Sequence, residues 1–137
     1  MGGDLTAITT LRARYAETDA QGIVHHSSYI VWFELGRVEL LRAHGISYRA
    51  MEAQGLAIVV SELAARYHAP ARYDDLVQVQ TALALVRSRQ VAFNYRLSLA
   101  DTGALLVTGR STHIVVDKAT GRPTRLPADL LTRMRKE

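Results

Sequence analysis

YIVWFELGRVELLRAHG, residues 29–45, predicts the one long helix of this chain. Its first turn, residues 30–33, is apolar all round, the pattern of a helix buried on more than one side. Glu34 with Arg37, and Glu39 with Arg42, stand three apart and can pair along a polar side. Gly45 supplies a left-handed cap where the pattern stops, so the helix covers residues 29–42. YRAMEAQG, residues 48–55, predicts a further short helix ending at Gly55.

On both sides of this helical segment the period changes to two. Upstream, Leu5, Ala7, Thr9, Leu11 and Ala13 alternate with Thr6, Ile8, Thr10 and Arg12 as one strand. Downstream, Val59 to His68, Val77 to Leu85 and Val91 to Leu99 alternate in the same way, and residues 105–116 form the last strand. Asp101, Thr102 and Gly103 make a hairpin turn, and LPADLLTRMRKE ends the chain as a short amphipathic helix with Pro127 near its first turn. The order is strand, long helix, then four strands expected to be joined by hairpins. Short links require antiparallel pairing, because parallel neighbours need a crossover of a dozen or more residues. One face of the sheet must then be covered, and the only long apolar helix available is residues 29–42. The expectation is an α+β fold: a curved, five-stranded antiparallel sheet wrapped around one central helix. No repeat or linker divides it, so residues 1–137 make a single domain.

Composition excludes several classes. There are no cysteines, which removes disulfides, thiolate metal sites and cysteine nucleophiles, and which fits a cytoplasmic location. The longest apolar runs fall far short of the roughly 18 residues a membrane span needs. MGGDLTAITT lacks the basic and apolar regions of a signal peptide, and its match to the Met-Gly-x-x-x-Thr lipidation pattern is read as chance. The net charge of +4 comes from scattered arginines rather than a basic stripe interleaved with aromatics, so no nucleic-acid partner is expected. A small polyanionic ligand stays open.

The chemistry-bearing residues concentrate just before the helix, in RYAETDAQGIVHHSSY, residues 14–29. Ser27 or Ser28 suits the N-cap, which leaves residues 23–26 near the positive end of the helix dipole with unpaired amides. Such amides can stabilise a developing oxyanion. Gly22 allows a tight return, and Asp19 precedes it by three. Each residue also has a plainer reading. Asp19 can close a turn on its own backbone. Tyr15 and Tyr29 can be core residues with satisfied hydroxyls. Adjacent His25 and His26 diverge on any regular element, so no metal site is expected. No Gly-x-Ser-x-Gly elbow, His-Glu-x-x-His, P-loop or Gly-x-Gly-x-x-Gly is present, and no cofactor is implied.

Taken together, Tyr15-x-Glu17-Thr18-Asp19-x-x-Gly22-x-Val24-x-His26-x-x-Tyr29 followed by WFELGR resembles the 4-hydroxybenzoyl-CoA thioesterase branch of the hot-dog superfamily, in its acyl-CoA thioesterase subgroup. ARYHAPARYDDLVQV and VDKATGRPTRLP extend the resemblance over residues 9–131. It implies hydrolysis of an acyl-CoA, in a dimer or dimer of dimers whose active sites lie at the subunit interface. Asp19 maps onto the family's catalytic aspartate, as nucleophile or as base for water. The amides of Val24, His25 and His26 would polarise the thioester carbonyl, His26 would orient it, and Tyr15 would position Asp19. Tyr29 would contact the substrate. Ser28-Tyr29 replaces the Asn-Tyr of related sequences, which removes any contact made through the asparagine. Glu34, a second carboxylate, is either a substrate-side group or the partner of Arg37. Arg87 and Arg89 in the VRSRQ turn, with Arg72, would meet the CoA phosphates. The alternatives are an acyl-thioester binder without turnover and a hydroxyacyl-thioester dehydratase.

Overall fold

A computed structural model describes residues 5–135; part of the N-terminal lipidation pattern and the last two residues of RMRKE lie outside the described residues. In chain order the elements are β1 (Thr6–Arg12), a 3-10 turn (Tyr15–Glu17), α1 (Ser28–Ala43), α2 (Tyr48–Ala53), β2 (Leu56–Tyr67), β3 (Leu76–Arg87), β4 (Gln90–Leu99), β5 (Leu105–Asp117) and α3 (Ala128–Met134). The expected five-stranded antiparallel sheet and single long helix are both present. Gly45 follows the helix at φ +77°, a left-handed position that a side chain would strain.

The sheet order is β1-β3-β4-β5-β2, which corrects one expectation. Only β3–β4 and β4–β5 are hairpins. β2 lies at an edge beside β5, paired from Leu56↔Asp117 to Tyr67↔Val107 with one register shift between Val60 and Glu62, while β1 occupies the other edge against β3. Residues 68–75 therefore cross the end of the sheet over three strand spacings, about 14 Å. Period-two alternation fixes which way side chains face, and says nothing about which strand is the neighbour.

The helix lies very close to the sheet. Phe33 stacks on Tyr95 with ring centroids 4.3 Å apart, and a Cβ on Gly109 would come within 2.5 Å of the Phe33 ring. Gly36 faces β3, where a Cβ would lie 2.8 Å from Val79 Cγ1 and closer still to Thr81 Oγ1. Those two glycines are there because nothing larger fits.

A polar string crosses this core, and it corrects the pairing expected of Arg37. Glu39 and Arg42 do pair at 3.0 Å, but Arg37 forms no ion pair with Glu34 and donates to the Tyr95 hydroxyl at 3.4 Å. Tyr95 contacts Ser111 Oγ at 2.5 Å, and Ser111 contacts His113 Nε2 at 2.7 Å. His113 is wholly buried and its Nδ1 has no partner among the described residues. Burial first, then the nearby Arg37 charge, depress its pKa from 6.5 to about 4. The unfolded chain thus binds a proton that the folded chain refuses over that window. Stability from neutral His113 is full above pH 6.5 and is lost as pH falls toward about 4, a loss of roughly 3 kcal/mol. Urea unfolding at pH 7, 5.5 and 4.5 should show this decline in wild type and a flatter profile in His113→Gln. Equal slopes would contradict the assignment.

Candidate active site

Two loops meet at the N-terminal end of α1. Residues 13–27 enter the helix, and residues 68–75 cross the sheet end. Three backbone hydrogen bonds lace them together, Ala13 N–H to Asp75 O at 2.9 Å, Asp74 N–H to Ala13 O at 2.8 Å and Val24 N–H to Ala71 O at 2.8 Å, and Ala71 N–H ties the second loop to the helix through the Tyr29 hydroxyl at 2.9 Å. Between them lies an open cleft of about 380 Å³, walled by Asp19 and His26 on one side and Tyr67, His68 and Pro70 on the other, with Tyr29 also in its lining.

Asp19 closes a turn, its plainer reading. Oδ1 accepts the Gln21 N–H at 2.8 Å, closing a turn on the local backbone, while its own amide donates to Ile23 O at 2.9 Å. Oδ2 accepts no hydrogen bond among the described residues. One oxygen holds the turn and the other is available to a ligand.

The amides behave differently from the expectation. Val24 N–H is committed to Ala71 O, and His25 N–H to Glu17 O at 2.8 Å. Only the His26 N–H lacks a protein acceptor among the described residues. The three-amide arrangement narrows to one because the loop uses the other two to hold itself together. Ser27 occupies the N-cap, but its hydroxyl meets His25 Nδ1 at 2.8 Å instead of capping, and Ser28 Oγ donates to Glu17 O at 3.0 Å. His26 is exposed, stacks on His25 with centroids 4.1 Å apart, and accepts the Tyr67 hydroxyl on its carbonyl at 3.0 Å.

Other expected site residues are placed as follows. Tyr29 is buried, and burial raises its hydroxyl pKa above the usual value against the lowering effect of the Ala71 amide; the charges of Asp75 and Asp19 add to the rise. Tyr15 is 77% exposed and edge-on to Tyr73, and its hydroxyl forms no hydrogen bond with Asp19 among the described residues. Glu34 is exposed and lines a separate pocket of about 100 Å³ with Arg37, Tyr48, Ile58 and Phe93. Arg72 is exposed in the turn beyond Pro70, its amide bonded to Asp75 Oδ2 at 2.8 Å. Arg87 and Arg89 are exposed at the β3–β4 hairpin, while the cleft lies beyond the opposite end of β3. That strand is about 36 Å long at ~3.3 Å per residue, so these arginines and Asp19 do not share a site within one chain.

Sequence reasoning missed Tyr67 and His68 as cleft residues, although both stand in the quoted ARYHAPARYDD stretch. It also left Glu17 and Trp32 unassigned. Glu17 is buried, and its carboxylate accepts from the Arg14 amide at 2.8 Å and from the Trp32 indole at 2.8 Å.

Comparison with known proteins bears on the family and the fold. Residues 13–134 match the model of the Thioesterase-like superfamily. The chain is 35% identical over 121 residues to the acyl-CoA thioester hydrolase YbgC of Escherichia coli O6:H1, covering 88% of this chain and 90% of that one. Protein TT1821 of Thermus thermophilus superposes with a TM-score of 0.88 at 38% identity, over 93% of this chain and 96% of that one. A DHNA-CoA thioesterase of Staphylococcus aureus superposes with a TM-score of 0.85 at 33% identity, over 88% and 80%.

Proposed function

The chain belongs to the thioesterase-like superfamily, and we propose that it hydrolyses acyl-CoA thioesters to the free acid and CoA, as a member of the 4-hydroxybenzoyl-CoA thioesterase branch. The observation that carries this reading is the free Oδ2 of Asp19 in a cleft that also holds His26, whose amide is unpaired at a helix N-terminus. A thioester carbonyl polarised by that amide gains negative charge as it becomes tetrahedral, and the helix dipole favours that charge. The carboxylate supplies either direct attack on the carbonyl carbon or deprotonation of the attacking water.

The working unit is a dimer or a dimer of dimers. β2 is a twelve-residue edge strand, nearly all of it unburied, with Val59 49%, Val60 43% and Tyr67 47% exposed. An edge of that length and character seeks a partner strand. If two copies pair antiparallel about the middle of β2, the Tyr67 end of one meets the Leu56 end of the other. The cleft then adjoins the partner's pocket lined by Glu34, Tyr48 and Ile58. The partner's Arg89 lies at that same end, since its carbonyl accepts the Val115 N–H at 3.0 Å and Val115 is opposite Ile58. Glu34, Arg87 and Arg89 thus keep their substrate roles in trans.

A panel of short aliphatic, aryl and long-chain CoA thioesters, with released CoA read by a thiol reagent, tests the reaction. Light scattering on the same sample tests the assembly. Turnover of at least one thioester by a dimer or tetramer is expected; binding without CoA release, or full activity in a monomer, would sink the corresponding part.

A further inference from the structure

We propose that Glu17 is a positioning residue for this reaction, tying the loop that carries Asp19 to the helix that carries the oxyanion amide; this rests on the thioesterase reading above. Glu17 closes the 3-10 turn two residues before Asp19, and the turn's own bonds run from Glu17 N–H to Arg14 O at 2.9 Å and from Arg14 N–H to Glu17 Oε1 at 2.8 Å. Oε2 accepts the Trp32 indole N–H at 2.8 Å, from inside α1, and the Arg14 guanidinium at 3.4 Å. The Glu17 carbonyl accepts from His25 N–H and Ser28 Oγ. One residue therefore grips the helix through its side chain and the far arm of the loop through its backbone. Between these grips the loop narrows to a bridge, Thr18↔Val24, and Asp19 hangs just beyond it, held by Ile23 O and by its own turn.

A buried carboxylate in this place has a cost that a neutral core residue avoids. Burial alone would raise its pKa, but the hydrogen bonds from the Arg14 amide and the Trp32 indole, with the Arg14 charge, leave it below the usual value. The carboxylate is ionised at neutral pH and is held by the Arg14 amide, the Trp32 indole and the Arg14 guanidinium, and Glu17 is not part of the lining of the cleft that holds Asp19, which argues for a mechanical role. Asp19 must be held against a carbonyl whose position is set by the His26 amide on α1. The Glu17–Trp32 bond is the side-chain link between the Asp19 loop and the helix that fixes that separation, beside the backbone links from Ser28 and His25 to the Glu17 carbonyl.

Glu17→Gln, Glu17→Ala and Trp32→Phe test this, alone and with Glu17→Gln combined with Trp32→Phe. Gln keeps the length and one acceptor but presents N–H to the other donor, so its kcat should fall about tenfold; Ala should lose about a hundredfold, the cost of an ångström-scale misplacement. Trp32→Phe should resemble Gln, and the double variant should be no worse than the more affected single one, because both break the same bond. KM should stay within about twofold throughout, since binding contacts are untouched. Near-UV dichroism of Trp32, the chain's one tryptophan, reads whether each Glu17 variant keeps the helix packed. Folded Glu17 variants that lose thermal stability but keep wild-type kcat would reduce Glu17 to a scaffold residue and overturn the proposal, as would additive losses in the double variant. A wild type that releases no CoA from any thioester overturns the underlying reading instead, and is seen before any variant is made.

Discussion

Asp19→Asn lowers kcat on the preferred acyl-CoA by about 10²–10⁴, or roughly 3–5 kcal/mol of transition-state stabilisation. An amide neither attacks a thioester carbon nor takes a proton from water at a useful rate. The fold should be unaffected, for a reason visible in the turn. Asp19 holds it through Oδ1 and the Gln21 N–H, and Asn keeps that acceptor while changing only the oxygen that has no protein partner. The loss should therefore fall on kcat, with KM and the melting temperature near wild type. Glu34→Gln is the control. Its carboxylate lines a different pocket and forms no ion pair with Arg37 in the folded chain, so the effect should be far smaller. A folded Asp19→Asn with wild-type kcat, alongside a Glu34→Gln that has lost it, would transfer the catalytic role to the helix carboxylate.

How far the chain could be read in advance depended on the range of each interaction. Strand and helix existence came through, because alternation and apolar runs are local, and so did the turns at Gly45, Gly55 and Gly103, each left-handed. The partner of β2 did not. Its alternation marks it as a strand, yet its neighbour is β5, some fifty residues away. The same limit governed the site. RYAETDAQGIVHHSSY marked the candidate loop, but which of its amides stay open was decided by its own folding and by a distant carbonyl: Glu17 takes His25 within the stretch, and Ala71 takes Val24 from outside it. Arg37 was paired by spacing with Glu34 and in the fold prefers a tyrosine 58 positions on. Glu17 was visible only as a letter in a motif, because its indole partner lies fifteen residues later inside the helix.

The second large effect concerns which chain supplies which half of the site. Removing both hairpin cations, Arg87→Ala with Arg89→Ala, should raise KM about tenfold and leave kcat nearly unchanged, because a cation on the nucleotide end grips ground and transition states alike. The defect should shrink at high salt, as exposed charges are screened. Within one chain these arginines lie about 36 Å of β3 away from the cleft end, so a part in the reaction at Asp19 would require that they serve the partner's cleft. A mixed dimer separates the possibilities. Let one subunit carry Asp19→Asn and the other carry the two arginine changes, each with its own affinity tag, and purify the hybrid through both tags. If the sites are shared, one site contains both lesions and the other contains none, because the intact Asp19 faces the intact arginines. At substrate concentrations well below KM the hybrid should then show about half of wild-type activity, although both parent dimers are poor. If each chain builds its site alone, no site in the hybrid is whole, and its activity should fall midway between the two parents. A midway value would mean that Arg87 and Arg89 serve the Asp19 of their own chain and would overturn the shared site; an unchanged KM in the arginine parent would instead place the nucleotide on cations nearer the cleft, with Arg72 in the turn beyond Pro70 the first to replace.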